Sequence, residues 1–166
     1  ADKPALVMAG SGFVQTYAEL DAAANRLSRL LRSAGLQPGD HIAMCMENHD
    51  RYMEIVWGCH YAGLVYTCVS SRLQSNELEY IVNDCGARAF ITSKYKADQA
   101  AEITGTTPQV ELHLMLDGTI DGYESYETAV EAQSPEPLDE QRIAGMDMLY
   151  SSGTTGMPKG IARSLP

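Results

Sequence analysis

Short apolar segments typical of strands alternate with helical segments along almost the whole chain of 166 residues. Strands are expected at 41–46, 64–69, 87–92, 110–116 and 146–150, and helices at 17–34, 50–62, 75–85, 94–103 and 123–132. This alternation predicts an α/β fold, a doubly wound, mostly parallel sheet with helices on both faces. Residues 5–16 are expected to add two short strands around a turn at 10–12. The length suits a single such domain.

The first two helices carry the most specific local predictions. Thr16 and Glu19 have the spacing of a capping box, and Gly35 is a natural helix end. A repeat of three or four residues predicts a buried face on the first helix, made of Tyr17, Leu20, Ala24, Leu27, Leu31 and Ala34. In the second helix, Asn48 or Asp50 is expected as the cap. Its inward side chains are expected to be Met53, Val56, Trp57 and Tyr61.

Charge argues against two classes of partner. The net charge of −10 makes nucleic acid and anionic membranes poor partners, and no apolar run is long enough to span a membrane. Residues 98–147 hold 12 acidic residues against one basic residue, Arg142, and we expect a solvated edge rather than a docking face. The same interpretation is given to the arginines of the first helix, Arg26, Arg29 and Arg32.

The four cysteines, Cys45, Cys59, Cys68 and Cys85, lie in apolar stretches without a C-x-x-C pair. They are expected to be buried free thiols in a reducing compartment, which indicates the cytoplasm. The histidines show no metal-ligand spacing, so no metal site is expected from them. His49 and Asp50 could form an acid–base pair, but a capping role for Asp50 is favoured.

The segment that indicates chemistry is residues 150–160, which follow the last strand. It contains three glycines, four serine or threonine hydroxyls and a lysine, and so combines flexible backbone, hydrogen-bond donors and a positive charge. The residues expected to bind phosphate are Ser151, Ser152, Gly153, Thr154, Thr155, Gly156, Lys159 and Gly160. Arg163 adds a second positive charge where an anionic ligand would arrive.

Other interpretations of this segment are less favoured. It is not the common P-loop, because Met157 and Pro158 separate Gly156 from the lysine. A nucleophilic serine would need a G-x-S-x-G elbow, which is absent. A flexible surface loop of small residues is the remaining alternative.

The run Ser-Ser-Gly-Thr-Thr-Gly-Met-Pro-Lys-Gly at 151–160 resembles the signature loop of the adenylate-forming, AMP-binding superfamily. Weaker matches precede it in the family's order, at residues 16–20, 35–40, 62–66 and 72–78, with Asn48 before the second helix. Residues 67–71 lack the proline-rich stretch of peptide-synthetase domains, which favours the acyl-CoA synthetase branch, most like fatty-acid–CoA ligases. They also lack the proline that many synthetases have there.

The resemblance implies a two-step ligase. A carboxylic acid, expected to be a fatty acid, attacks ATP to form an acyl-adenylate, and the thiol of CoA then displaces AMP, with Mg²⁺ bridging the phosphates. Ser152, Thr154, Thr155 and the backbone around Gly153 and Gly156 would hold the β- and γ-phosphates. Lys159 would neutralise the pyrophosphate side.

The resemblance also implies that residues 1–166 are part of an N-terminal AMP-binding subdomain, with the C-terminal domain absent. No catalytic or metal-binding residue is expected in this piece, which is predicted to be inactive alone. Two alternatives stay open: an adenylation domain that loads a carrier protein, and a non-catalytic nucleotide-binding or oligomerisation module. A truncated chain would expose apolar surface and a sheet edge, which favours homo-oligomers.

Overall fold

A six-stranded sheet, parallel in every pairing of the described residues, forms the centre of the protein. The computed structural model describes residues 2–140, 143–151, 156–161 and 163–165. The strand order is β7-β6-β5-β3-β4-β8. Its strands are β3 (His41–Cys45), β4 (Val65–Val69), β5 (Ala87–Ser93), β6 (Leu112–Leu116), β7 (Glu124–Ser125) and β8 (Met146–Asp147). Two hairpins flank the sheet, β1 (Pro4–Val7) with β2 (Val14–Thr16), and β9 (Leu149–Ser151) with β10 (Lys159–Ile161).

Helices cover both faces of this sheet, as predicted. They are α1 (Tyr17–Ser33), α2 (Tyr52–Tyr61), α3 (Ser75–Asp84), α4 (Ala97–Ile103) and α5 (Tyr126–Glu131), with a 3-10 turn at Lys94–Lys96. One apolar cluster joins α1, α2 and α5 to one face, and a second joins α3 and α4 to the other. The doubly wound α/β fold class is therefore confirmed.

Strand β3 shows why both faces must be covered. Ile42 and Met44 belong to the first cluster, while Ala43 and Cys45 belong to the second, and each is at most 1% exposed. Successive side chains of a strand point to opposite faces, so a continuous apolar run requires helices above and below. The chain adds β4 on one side of β3 and then β5 on the other, which places all carboxyl ends at one edge.

The ends of α1 agree with the sequence prediction. The Thr16 hydroxyl accepts a hydrogen bond from the backbone N–H of Glu19 (3.3 Å), and the Glu19 carboxylate accepts one from the N–H of Thr16 (2.8 Å). Gly35, with φ of +91°, follows the helix end. The predicted buried face is wrong only at its two ends, because Tyr17 is 56% exposed and Ala34 is exposed as well.

The predicted inward face of α2 is wrong at Met53 and Trp57, whereas Val56 is half-buried and packs against the first apolar cluster. Trp57 is 42% exposed and Met53 is 37% exposed, whereas the buried face contains Ile55, Cys59 and the carboxylate of Glu54. A buried carboxylate needs compensating donors. The hydroxyl of Tyr126 donates to Glu54 at 2.9 Å, and Arg51 donates at 3.1 Å. A hydrophobic pattern assigns glutamate to solvent. The sequence pattern therefore does not predict that Glu54 belongs to the buried face of α2.

Helices α1 and α2 also approach each other closely at Gly58. A Cβ atom at Gly58 would lie 2.7 Å from the side chain of Leu27, so α1 packs directly on the backbone of α2 there. The cap of α2 also differs from the prediction. Arg51 occupies the cap position without a side-chain hydrogen bond, and neither Asn48 nor Asp50 caps the helix.

The arginines of α1 do not form the solvated face expected from the sequence. They hold the acidic segment that follows α5. Arg26 donates to the carbonyl oxygen of Gln133, Arg29 Nε donates to that of Glu136 at 2.7 Å, and Arg32 pairs with Glu140. Part of the acidic excess is therefore compensated within the chain, by residues about 107 positions away in sequence.

The cysteine prediction is confirmed for three residues and wrong for one. Cys45, Cys59 and Cys85 are buried free thiols, but Cys68 is exposed. Strand β8 pairs only with Val65 and Tyr66 among the described residues, so it leaves the last residues of β4 without a described strand on that side.

Among the helices of the described residues, none has both the length and the apolar composition needed to cross a membrane.

Two histidines make stability depend on pH. Burial lowers the pKa of His113 and of His41, and for His41 the neighbouring Asp40 opposes this shift. His113 Nε2 and His41 Nδ1 lack hydrogen-bond partners among the described residues. The unfolded chain therefore binds protons at higher pH than the folded chain, so stability present above the unfolded pKa of about 6.5 is lost as pH falls.

We expect His113→Phe to reduce this acid sensitivity, because phenylalanine keeps the aromatic contact with Tyr123 and cannot bind a proton. Thermal denaturation at about pH 7.5 and about pH 5.5 measures it, and the melting temperature of the variant should fall less than that of the wild type. Equal falls in the two proteins would contradict the role given to His113.

Candidate phosphate-binding site

The glycine- and hydroxyl-rich segment begins and ends in an antiparallel hairpin. Strands β9 and β10 pair Leu149 with Ile161, Tyr150 with Gly160 and Ser151 with Lys159. Pairing of β9 with a strand at 159–161 was not predicted, because a three-residue strand containing a lysine and a glycine has little strand character. The two ends of the segment are thus brought together at Ser151 and Lys159.

Strand β8 directs this hairpin along β4 to the carboxyl edge of the sheet. The N–H of Met148 donates to the carbonyl oxygen of Tyr66 at 2.8 Å. Gly145 is required just before β8, because a Cβ atom there would lie 2.3 Å from the carbonyl oxygen of Leu64. A cavity of about 260 Å³ separates the hairpin from the end of β4, and Cys68, Ser70 and Ser151 are among its lining residues. Parallel sheets commonly bind ligands at this edge.

Four of the predicted site residues lie within the described part of the chain, namely Ser151, Gly156, Lys159 and Gly160. The other four, Ser152, Gly153, Thr154 and Thr155, lie outside the described residues. The structure brings Ser151 and Lys159 together, with the Ser151 hydroxyl 3.5 Å from the carbonyl oxygen of Lys159. A phosphate-binding role for all eight residues stays a prediction.

The two described glycines of the site have different surroundings. Gly156 has φ of +145°, a conformation that side chains disfavour, and no atom of the described residues lies within 4 Å of a Cβ atom placed there. Gly160 is closely packed instead. A Cβ atom at Gly160 would lie 2.3 Å from Met148 Cε, 3.0 Å from Tyr150 Cζ and 3.1 Å from the Tyr150 hydroxyl oxygen. Gly160 therefore lets the ring of Tyr150 cross the hairpin.

The positive charges near the hairpin differ in their use. Both carboxylate oxygens of Asp147 lie 2.8 Å from one guanidinium nitrogen of Arg163, so Arg163 closes the base of the hairpin. This pairing is at odds with the expectation that Arg163 awaits an anionic ligand. Lys159 is exposed, and no carboxylate of the described residues forms an ion pair with it. Of Arg163 and Lys159, only Lys159 lacks a carboxylate partner among the described residues, so its charge can attract an anion.

Tyr150 attaches the hairpin to helix α3. Its hydroxyl donates to the Asp84 carboxylate at 2.6 Å, and its ring packs against the second apolar cluster. Burial, together with this hydrogen bond, raises the pKa of Tyr150 well above its usual value, so the hydroxyl stays protonated. Burial also raises the pKa of Cys45 and Cys85 to about 11, which excludes a thiolate nucleophile at these positions near neutral pH.

Sequence reasoning missed a polar cluster elsewhere on the carboxyl edge. Glu47, His49 and Asp117 have ligand atoms within 4.8 Å of one another. His49 lies 2.8 Å from both Asp50 and Asp117, so the favoured capping role of Asp50 is wrong. The hydroxyl of Ser93 donates to Glu47 at 2.5 Å. No spacing pattern could find this cluster, because the ends of β3 and β6 meet only in the folded sheet.

The fold defines an α/β domain in which the two ends of the glycine- and hydroxyl-rich segment, Ser151 and Lys159, pair in a hairpin. Residues 1–165 match the family model described as AMP-binding enzyme. The chain therefore belongs to the AMP-binding, adenylate-forming family, which confirms the resemblance.

Individual relatives agree with this assignment. The chain is 34% identical over 163 residues to the 3-oxocholest-4-en-26-oate–CoA ligase of Rhodococcus rhodochrous, covering 94% of this chain and 29% of the relative. It is 29% identical to the fatty acid–[acyl-carrier-protein] ligase ScoC of Streptomyces coeruleorubidus, covering 90% and 28%. The solved structure of the anthranilate CoA ligase AuaEII with anthranoyl-AMP aligns with a TM-score of 0.82 at 26% identity, covering 91% and 30%. The chain spans less than a third of these proteins.

The Asp147–Arg163 pair is expected to slow opening of the hairpin. In Asp147→Ala, amide hydrogen exchange in β9 and β10 should become up to about fivefold faster, since an exposed ion pair contributes up to about 1 kcal/mol. Asp139→Ala is the control, because it removes an aspartate that pairs with Arg29 elsewhere. Equal exchange in the two variants would contradict the closing role of this pair.

Proposed function

We propose that this chain supplies the phosphate-binding lobe of an ATP-dependent acid–thiol ligase. The supporting observation is Lys159, exposed and without a carboxylate partner among the described residues, opposite Ser151 at the carboxyl edge of the sheet. Family membership adds the reaction class. The carboxylic acid would form an acyl-adenylate with release of pyrophosphate, and a thiol would then displace AMP.

In this reaction the chain's own residues would act by position and charge. Ser151, the backbone around Gly156 and the ammonium of Lys159 would bind the β- and γ-phosphates, as would Ser152, Thr154 and Thr155. Such groups stabilise the negative charge of the departing pyrophosphate. No general base is required, because the attacking carboxylate is already ionised. The signature segment offers hydroxyl and carbonyl oxygens but no carboxylate, so acidic ligands of Mg²⁺ would come from elsewhere in the protein.

Two acceptors remain in competition, CoA and a carrier protein. We favour CoA, because residues 67–71 lack the proline-rich stretch of peptide-synthetase domains. The relative from Rhodococcus rhodochrous is named a CoA ligase, which also supports CoA. The relative ScoC is named for an acyl-carrier protein, and this keeps the second acceptor as the alternative. We propose a fatty acid as the substrate. The buried free thiols support a reducing compartment such as the cytoplasm.

Lys159→Ala should weaken ATP–Mg²⁺ binding of the full-length protein about tenfold to a hundredfold, because a charged hydrogen bond contributes about 1.5–3 kcal/mol. Binding of AMP, which lacks the β- and γ-phosphates, should not change. Isothermal titration calorimetry measures both affinities.

Lys159→Arg, which keeps the charge, and Lys3→Ala, which removes a charge from the segment before β1, serve as the controls for this measurement. Equal ATP affinity in the wild type and in Lys159→Ala would contradict the phosphate role.

Residues 1–166 alone are expected not to make an acyl-adenylate, because they would provide phosphate contacts without the rest of the active site. Carboxylate-dependent pyrophosphate release measures this activity. Carboxylate-dependent pyrophosphate release by this segment would contradict the expectation, and ATP binding without release would agree with it.

A further inference from the structure

The hairpin that carries the signature segment cannot hold its own position. The described residues give it three paired positions, and an isolated two-stranded hairpin is marginally stable. On one of its faces, Leu149 is 56% exposed and Ile161 is 55% exposed, so packing there contributes little. A contact from the opposite face must therefore fix the hairpin to the sheet.

Tyr150 provides that contact at the central pair of the hairpin. Its ring packs with the second apolar cluster, and its hydroxyl reaches Asp84, the last residue of α3, at 2.6 Å. Hydrogen bonds to a carboxylate are stronger than those between neutral groups. The opposite residue, Gly160, leaves the space that the ring occupies, since any Cβ atom there would lie 3.1 Å from the hydroxyl oxygen.

Asp84 is in a position that helix formation alone does not favour. The C-terminal end of a helix carries partial negative charge, so an aspartate there is repelled, and the last turn of α3 contains no basic residue. A donor from outside the helix offsets this repulsion. Within the described residues, the Tyr150 hydroxyl supplies it.

We propose that Tyr150 and Asp84 are positioning residues that hold the signature segment where it binds the β- and γ-phosphates of a nucleotide. Tyr150 immediately precedes Ser151, which pairs with Lys159, so a fixed Tyr150 also fixes the start and the end of the segment. The inference rests on the proposed function. It predicts that loss of the Tyr150 hydroxyl weakens contacts to these phosphates only.

The test uses the full-length protein and calorimetric binding of pyrophosphate and of AMP. Tyr150→Phe keeps the ring and removes the hydroxyl. We expect pyrophosphate to bind about threefold to tenfold more weakly, with AMP affinity unchanged, as fits the loss of one hydrogen bond. Asp84→Ala, which removes the acceptor, should have the same effect, and the double variant should be no weaker than either single variant. In the adenylation step, the KM for ATP should rise while that for the carboxylic acid stays the same.

The chain contains a matched control. The hydroxyl of Tyr61 in α2 donates to Asp21 in α1 at 2.7 Å, on the opposite face of the sheet. Tyr61→Phe removes a tyrosine–aspartate bond of the same chemistry and should leave pyrophosphate affinity unchanged.

The outcomes separate this inference from the proposed function. If Tyr150→Phe and Tyr61→Phe bind pyrophosphate equally well while Lys159→Ala binds it weakly, the positioning role is wrong and the phosphate role stands. If Lys159→Ala also binds pyrophosphate normally, the proposed function itself is wrong. A loss of AMP affinity equal to that of pyrophosphate would show general unfolding and overturn the positioning role. Should Tyr150→Phe fail to fold, Asp84→Ala, which removes the acceptor by altering an exposed side chain, gives the same decision.

Discussion

Burial of β3 on both of its faces is the constraint on which the rest of the structure depends. Ile42 and Met44 need one helical layer, and Ala43 and Cys45 need the other. A parallel sheet meets both needs, because each crossover helix returns the chain to the same end of the sheet. All carboxyl ends then lie at one edge. The signature hairpin reaches that edge because β8 extends the sheet beside β4.

Within the described residues, the hairpin contacts the helical layer that contains α3. Tyr150 contacts α3 through Asp84, and Arg163 closes the base of the hairpin with Asp147. Lys159 makes no ion pair with a carboxylate of the described part of the chain, so its charge stays available at the edge. The arginines of α1 contact the acidic segment after α5 and offset part of the protein's excess negative charge.

Sequence reasoning succeeded where the determinants are local. The capping box of α1 and Gly35 depend on neighbours three or four residues apart, and both appear as predicted. Sequence reasoning failed where a residue distant in sequence decides whether a side chain is buried or which group it contacts. Glu54 is buried and accepts a hydrogen bond from Tyr126, so the buried face of α2 includes Glu54 and leaves Trp57 exposed. The cluster around His49 was missed because Asp117 joins it across the sheet.

The amino-acid sequence by itself determined the α/β class, the alternation of the main strands and helices and the signature segment at 151–160, because periodicity, caps and glycine spacing act over a few residues. Only the tertiary structure decided how that segment is held. The Tyr150–Asp84 bond and the packing of Tyr150 on Gly160 join residues that no local pattern relates. Such contacts form because helix α3 and the hairpin β9–β10 pack on the same face of the sheet, and the energy of that packing is a property of the whole fold.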